Sequence, residues 1–317
     1  MKQRRPTPYR THQAGITLVE VLISLVLGLL LVGAATGIYL SNRQTFRQVE
    51  NLARLQENAR ITFELMGRDI REAGGVTCGS GLAVVNQLGL DLATAANWWA
   101  NWGDGVRGYT GAAGDGFPAY GTGTGARERV QGTQSLLVWS GSTDTSVGTS
   151  NIGVNPVTVS AGHGFDNNDV VMACDLRSAA LVQITNAAAT ALTLNATPAG
   201  SASPGDTLTR LQASAWYVGY NGRGGTSLFR VSQNKGATST EEMIENVEDL
   251  KLAYLVQGAL QYADPANGDP LPADWTQVVA VRVTPTYTTA ETVGTNNQTI
   301  KKDMPFVVKI RNREYAP

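Results

Sequence analysis

The sequence predicts an α+β fold, in which a long N-terminal helix packs on a large, mainly antiparallel β head. Residues 21–40 form an apolar run without Asp, Glu, Lys or Arg, and an amphipathic pattern without proline follows it to residue 73. Beyond that residue, short apolar runs recur between Gly, Asn, Asp and Pro turns. No helical pattern separates these runs, which favours antiparallel pairing of strands.

The apolar run is long enough to cross a membrane as a helix. At about 1.5 Å per residue it rises about 30 Å, which matches the hydrocarbon core of a bilayer. The leader before it, residues 1–15, contains four basic residues, Lys2, Arg4, Arg5 and Arg10, and no acidic residue. Because basic flanks stay in the cytoplasm, we expect the body of the chain on the other side of the membrane.

Glu20 is the unusual residue of this region because it lies directly before the uncharged run. A lone carboxylate at the middle of a membrane costs about 2.5–3.5 kcal/mol on insertion scales. We therefore expect Glu20 to have a partner or a function. The alternative is a plain N-terminal membrane anchor in which Glu20 sits at the interface.

Residues 42–73 are predicted to continue the same helix with one apolar face. Apolar residues recur at steps of three or four. They are Phe46, Val49, Leu52, Leu55, Ala59, Phe63, Met66, Ile70 and Ala73. Gly74 and Gly75 then favour helix termination, so a single helix is expected over residues 16–73. Packing of its second half on a sheet is favoured over a coiled coil, since the apolar pattern lasts little more than four heptads.

An insert rich in glycine and aromatic residues follows at about residues 95–130. It contains Trp98, Trp99, Trp102, Tyr109, Phe117 and Tyr120. Its low regularity predicts one or two long loops. The aromatic side chains either form a contact surface for a partner subunit or ligand, or fold back over the core, which is the favoured alternative.

The head shows eleven strand signals. They are residues 136–139, 157–159, 170–174, 181–185, 192–194, 208–211, 216–220, 228–231, 250–255, 278–285 and 306–310. Residues 240–247 are instead predicted to form a short helical turn, with Ser239 or Thr240 as its cap.

Composition excludes several classes of function. With 25 basic and 26 acidic residues, the chain lacks the excess of positive charge that nucleic-acid binding requires, and we expect no nucleic-acid partner. His12 and His163 are the only histidines, which nearly excludes sites with several His ligands and most His-dependent catalysis. We therefore expect no enzymatic activity, no catalytic residues and no cofactor.

The two cysteines and one acidic segment have competing explanations. In an oxidising compartment, Cys78 and Cys174 are expected to form a structural disulfide, and a nucleophilic Cys–His163 pair is the less favoured alternative. Residues 166–169, Asp-Asn-Asn-Asp, suggest calcium by their acidity, but they lack the spacing of a known loop. Asx turns explain this segment better, and no metal site is expected.

The N-terminal pattern resembles the class III signal of type IV prepilins. A basic leader, Gly15, the sequence Ile-Thr-Leu-Val-Glu and an apolar helix follow one another in that order. The resemblance implies that prepilin peptidase cleaves between Gly15 and Ile16 and methylates the new N-terminus at Ile16. Glu20 then becomes the fifth residue of the mature chain and acts in filament assembly. Ile16 departs from the phenylalanine that is more common in the family.

The body resembles PilW-type minor pilins of the type IV pilus. Residues 55–60, 68–74, 78–79, 244–250, 275–278 and 306–312 carry this resemblance. It implies a minor pilin that primes or caps pilus assembly near the tip, with roles in motility and adhesion. The large minor pseudopilin of type II secretion is the alternative.

The same resemblance implies partners, a location and a domain organisation. The expected partners are prepilin peptidase, other minor pilins, the major pilin and the inner-membrane assembly platform. The chain is expected to span the inner membrane once, with its head in the periplasm, before it enters the pilus. The domains are a cleaved leader (1–15), a transmembrane or filament-core helix (16–40), its amphipathic continuation (41–74) and a β-rich head (75–317).

Overall fold

The computed structural model describes residues 15, 17–75, 78, 82, 84–92, 94–118, 123–149, 151–198, 206–234, 237–294 and 298–313. The chain divides into two compact units, residues 1–51 and 52–317. Its helix is α1 (Leu18–Glu72), and its strands are β1 (Val84–Asn86), β2 (Val106–Tyr109), β3 (Ser135–Thr149), β4 (Val157–Thr158), β5 (Val170–Cys174), β6 (Ala179–Ala188), β7 (Ala191–Leu194), β8 (Asp206–Tyr220), β9 (Thr226–Asn234), β10 (Ala237–Glu245), β11 (Val247–Val256), β12 (Val278–Thr288), β13 (Lys301–Asp303) and β14 (Phe306–Lys309).

The predicted α+β class is confirmed, and so is a single long helix. Helix α1 ends at Glu72 because Gly74 adopts a positive φ of 66°, which glycine reaches without steric cost. The Gly74 N–H then donates to the carbonyl of Trp139 in β3 at 2.8 Å. The end of the helix is thus fixed to the sheet by a backbone hydrogen bond.

The part of α1 in the second unit packs its apolar face into the core of the head. Leu55, Met66, Ile70 and Ala73 are buried there with residues of both sheets. The predicted apolar face also includes Phe46 and Val49, which are exposed within the first unit, and Phe63, which is 40% exposed. The steps of three from Phe46 to Leu55 lag behind the 3.6-residue helical turn, so Phe46 and Val49 lie off the face that the buried residues share.

The larger sheet has ten strands and is built around β8. One edge of β8 pairs with β3, and the other pairs with β5 and β9, all antiparallel. Alternate residues of β8 enter different cores, since Trp216 and Val218 pack with α1 while Ala215 and Tyr217 pack on the opposite face. Burial of both faces explains why residues 215–220 of this strand form an apolar run.

The smaller sheet contains β11, β12, β13 and β14. Strand β12 pairs with β11 along one edge and with β13 and β14 along the other. The chain passes from the larger sheet to the smaller one at Asn246, which has a positive φ of 61°. All strand pairings in the smaller sheet are antiparallel. In the larger sheet, β1 and β6 form a parallel pair.

All eleven strand signals overlap observed strands, but the helical turn at 240–247 is wrong. Those residues belong mostly to β10, which pairs with β9 from Ala237 to Glu245. A register shift between Glu242 and Ile244 marks a bulge there. Tertiary pairing with β9 therefore overrides the local helical preference. Strands β1, β2 and β13 gave no recognised signal.

The insert is folded rather than an open loop. Residues 95–100 and 102–104 form short 3-10 turns, and β2 pairs with β3. Trp98, Trp99 and Trp102 are buried against the larger sheet. Tyr120 lies outside the described residues. The described aromatic side chains of the insert thus cover the core, which was the favoured alternative.

Candidate functional site

The candidate site is the start of α1, where the sequence analysis placed the processing signal. Gly15 is exposed, and the other signal residue, Ile16, lies outside the described part of the chain together with residues 1–14. Thr17 precedes the helix and caps it, because its Oγ1 accepts a hydrogen bond from the N–H of Glu20 at 3.3 Å. The Thr17 carbonyl also accepts from the N–H of Val21 at 3.2 Å.

Glu20 lies in the first turn of α1, three residues after its cap. This is the Thr-x-x-Glu spacing of a capping box, and a carboxylate there is favoured by the positive end of the helix dipole. Among the described residues, Glu20 has no ion pair. The structure of one chain therefore leaves the carboxylate available to a group from another molecule.

The apolar side chains that follow Glu20 are exposed in the described part of the chain. By length and composition, α1 is long and apolar enough to cross a membrane. The hydroxyls of Ser24, Thr36 and Thr45 donate to the carbonyls four residues earlier, at 2.8–3.0 Å. These polar side chains are thus satisfied locally, as a membrane helix or a dry helix contact requires.

The two cysteines form a disulfide bond, the pairing that the sequence analysis favoured. Cys174 is fully buried at the end of β5, and Cys78 lies in the segment that follows α1. The bond closes a sequence separation of 96 residues. With both thiols oxidised, neither cysteine can act as a nucleophile.

His163 is held by backbone groups. The N–H of Phe165 donates to Nδ1 at 3.0 Å, which places the ring proton on Nε2, 3.0 Å from the Ala188 carbonyl. Both ring nitrogens are therefore engaged in a local turn. This arrangement gives His163 a role in fixing the local turn.

The acidic segment at 166–169 forms a turn, as the sequence favoured. The Asp169 carboxylate is fully buried, accepts from the Asp166 N–H at 2.8 Å and pairs with Arg210 at 2.7 Å. The side chain of Asn167 accepts from the N–H of Ala187 at 2.7 Å. In the described part of the chain, no group of three or more His, Cys, Asp or Glu residues is placed to hold a metal ion.

A buried ion pair anchors the insert. Arg129 donates two hydrogen bonds to Asp115, at 3.0 and 3.1 Å, and its guanidinium lies 4.6 Å from the centre of the Phe117 ring. Burial alone would raise the pKa of Asp115. The hydrogen bonds from Arg129 and from the N–H groups of Phe117 and Gly111 outweigh it and lower that pKa. The insert is therefore fixed by charge as well as by aromatic packing.

Comparison with known proteins identifies the N-terminal signal. A family model described as the prokaryotic N-terminal methylation motif matches residues 10–36. No curated protein and no solved structure matches the chain. The motif indicates a type IV pilin-like or pseudopilin protein that is processed by prepilin peptidase, and the apolar helix supports its association with a membrane.

Sequence reasoning missed the cap at Thr17, although the spacing of Thr17 and Glu20 was a readable signal. It also missed a half-buried arginine, Arg313. The Arg313 guanidinium donates to the carbonyls of Asp104, Trp275 and Val278. Burial lowers the pKa of Arg313, although the nearby Asp104 and Asp274 oppose this effect. No local pattern predicts this contact, because its three acceptors are backbone atoms of distant segments.

Proposed function

We propose that this chain is a minor pilin of the type IV pilus, of the PilW type, which primes or caps pilus assembly near the tip. The observation that carries the proposal is a carboxylate in the first turn of an uncovered apolar helix, directly after a prepilin-type signal. A large β head, which would crowd a densely repeating shaft, suits a position at the tip.

The proposed processing step explains why Glu20 is tolerated. Cleavage between Gly15 and Ile16 creates an α-ammonium at Ile16, and methylation of that amine preserves its positive charge. In a filament core free of lipid, the Glu20 carboxylate of one subunit can pair with the Ile16 ammonium of its neighbour. Attraction between such charges is strong where water is excluded. Processing thus supplies a partner for Glu20, which has no ion pair among the residues that the structure describes.

The role is assembly without active-site chemistry, so the chain is not an enzyme under this proposal. Its partners are prepilin peptidase, other minor pilins, the major pilin and the inner-membrane assembly platform. The chain waits in the inner membrane with its head in the periplasm, and the finished pilus serves motility or adhesion.

A large minor pseudopilin of a type II secretion system is the second candidate. The matched motif at residues 10–36 is common to both classes, which is why this alternative remains. Deletion of the gene separates them. A minor pilin predicts loss of surface pili with normal protein secretion, and a pseudopilin predicts the reverse.

Processing is tested by co-expression with a prepilin peptidase. Wild-type chain should lose its leader and carry N-methylated Ile16, which mass spectrometry detects. Gly15→Val should leave the precursor intact, because a bulky residue replaces the glycine before the cleaved bond. Gly28→Ala is the matched control, since nothing lies within 4 Å of its added Cβ, and it should be processed normally. Cleavage of Gly15→Val at the same bond would refute the assignment.

The role of Glu20 is tested by Glu20→Gln and Glu20→Ala. Both variants should insert and be cleaved normally, since removing a charge eases insertion. Their incorporation into sheared pili, measured by immunoblot, should fall at least about tenfold because the Ile16 ammonium loses its partner. Glu57→Gln, an exposed carboxylate farther along the same helix, is the control and should be incorporated normally. Normal incorporation of both Glu20 variants would remove the physical basis of the proposal.

A further inference from the structure

Among the strand edges that no other strand covers in the described part of the chain, two have opposite charge. Strand β10 lies at the end of the larger sheet and pairs with β9 alone. Strands β13 and β14 follow one another along one side of β12, and each pairs with β12 alone. The uncovered segments are residues 237–245, here called the acidic edge, and residues 301–309, here called the basic edge.

The backbone of the basic edge presents hydrogen-bonding groups outward. The N–H groups of Met304 and Ile310 donate to the carbonyls of Pro285 and Val279, at 3.1 and 2.9 Å. Alternate residues of an antiparallel strand direct both backbone groups to the same side. The backbone N–H and C=O groups of Phe306 and Val308 therefore point towards β12. The backbone N–H and C=O groups of Val307 point away from it.

An apolar patch accompanies this free edge. Val307 is 52% exposed, and the neighbouring Phe306 ring contacts the ring of Phe63 edge-on, with centroids 5.4 Å apart. Phe63 is itself 40% exposed, and the Arg71 guanidinium lies 5.8 Å from the centre of its ring. An extended chain added beside β14 could thus gain backbone hydrogen bonds and apolar contact together.

The two edges carry opposite charge. Residues 301–311 contain four basic residues and one acidic residue, and Lys301, Lys302, Lys309 and Arg311 are exposed. The acidic edge contains Glu241, Glu242 and Glu245 and no basic residue. Arg223 offsets part of this charge by pairing with Glu242 and Glu245, while Glu241 is exposed and has no ion pair among the described residues.

Charges on edge strands commonly prevent association, because copies with the same charge repel one another. Here the charges of the two edges are complementary, so the basic edge of one copy attracts the acidic edge of another. Contact between two different surfaces of the same protein is heterologous and can repeat from copy to copy.

We propose that the basic edge of one copy pairs with the acidic edge of a second copy, so that the smaller sheet of one head continues into the larger sheet of the next. The two edges have the same length of nine residues, 301–309 and 237–245. Pro305 has no N–H and interrupts the basic edge between β13 and β14. This contact uses the head alone and goes beyond the proposed function of the N-terminal helix.

Site-directed cross-linking of the full chain in detergent micelles tests the pairing. Chains with Val307→Cys are mixed with chains with Thr238→Cys and oxidised, and the native cysteines stay in their disulfide. A cross-linked dimer should form at least about fivefold more than with Leu260→Cys, a fully exposed control outside both edges. Equal yields from the two mixtures would overturn the proposal.

A charge swap tests the basis of recognition. Lys302→Glu on the Val307→Cys chain, or Glu241→Lys on the Thr238→Cys chain, should lower the yield about fivefold. Combining the two reversals in one mixture should restore the yield, because the pair of charges is then complementary again. An unchanged yield with either single reversal, or no recovery with both, would overturn charge-directed pairing of these edges.

Discussion

At the scale of single residues, Asp69 joins the helix to the larger sheet. Its Oδ2 accepts a hydrogen bond from Trp216 Nε1 at 2.9 Å and lies 3.4 Å from Arg230 Nε. Burial raises the pKa of Asp69, and Arg230, Trp216 and Ser214 only partly offset this effect. The folded protein therefore favours the protonated carboxyl more than the unfolded chain does.

We predict that Asp69→Asn is at least as stable as wild type at pH 7. The asparagine keeps an acceptor for Trp216 and removes a buried charge. Because the folded pKa is raised, the stabilisation from protonated Asp69 is present below its unfolded pKa and is lost as pH rises through the folded pKa. Urea unfolding at pH 7 and pH 4 measures this effect. The free energy of unfolding of wild type, relative to that of Asp69→Asn, should be higher at pH 4 than at pH 7.

Asp69→Ala is the control for the hydrogen bond. It leaves Trp216 Nε1 without this acceptor and should lose about 1–3 kcal/mol of unfolding free energy at both pH values. If Asp69→Asn proved as destabilising as Asp69→Ala at pH 7, the ion pair with Arg230 would be the dominant interaction instead.

At the scale of elements, Gly108 allows β2 to approach β11. A Cβ added to Gly108 would lie 1.7 Å from the Tyr254 hydroxyl, so only glycine fits against this ring. The Tyr254 ring also contacts Trp275 edge-on, with centroids 4.9 Å apart. The hydroxyl is buried without a hydrogen-bond partner among the described residues, and burial raises the pKa of Tyr254.

Tyr254→Phe should therefore be neutral or stabilise the head by up to about 1 kcal/mol, because it removes a buried unpaired hydroxyl. Tyr217→Phe is the matched control. The Tyr217 hydroxyl donates to the Arg127 carbonyl at 2.7 Å, so its loss should cost about 0.5–1.5 kcal/mol. Urea unfolding of both variants measures the difference, and a destabilised Tyr254→Phe would indicate a partner for that hydroxyl.

At the scale of the whole molecule, the disulfide links the segment after α1 to the larger sheet across 96 residues. The head has high Gly content and long connections, so its unfolded chain has much conformational entropy to lose. Closing a loop of this length is expected to stabilise the folded state by about 4–5 kcal/mol in the chain-entropy model.

We predict that the double variant Cys78→Ala/Cys174→Ala loses most of this stability, as measured by urea unfolding. Wild type treated with a reductant should show a similar loss, which separates the covalent link from the change of side chains. Oxidised wild type should also migrate faster than reduced protein on a non-reducing gel. Free thiols at both positions in protein taken from the periplasm would contradict the prediction.

The sequence by itself determined the helix, the strand-rich head and the N-terminal signal. Each of these depends on local patterns, such as a 20-residue uncharged run, apolar periodicity and a glycine before Ile16. The cysteine pairing was also predictable, since the chain contains only two cysteines. Local patterns are readable because backbone geometry fixes which nearby residues share a face.

Only the tertiary structure decided β10, the packing of the insert and the contacts of Asp69 and Arg313. Strand β10 exists because β9 offers it a partner, despite a local pattern that favours a helical turn. Asp69 meets Trp216 across 147 residues, and Arg313 meets Asp104 across 209. Such contacts form because burial brings distant segments of the chain together. No local spacing of residues in the sequence predicts which distant segments will meet.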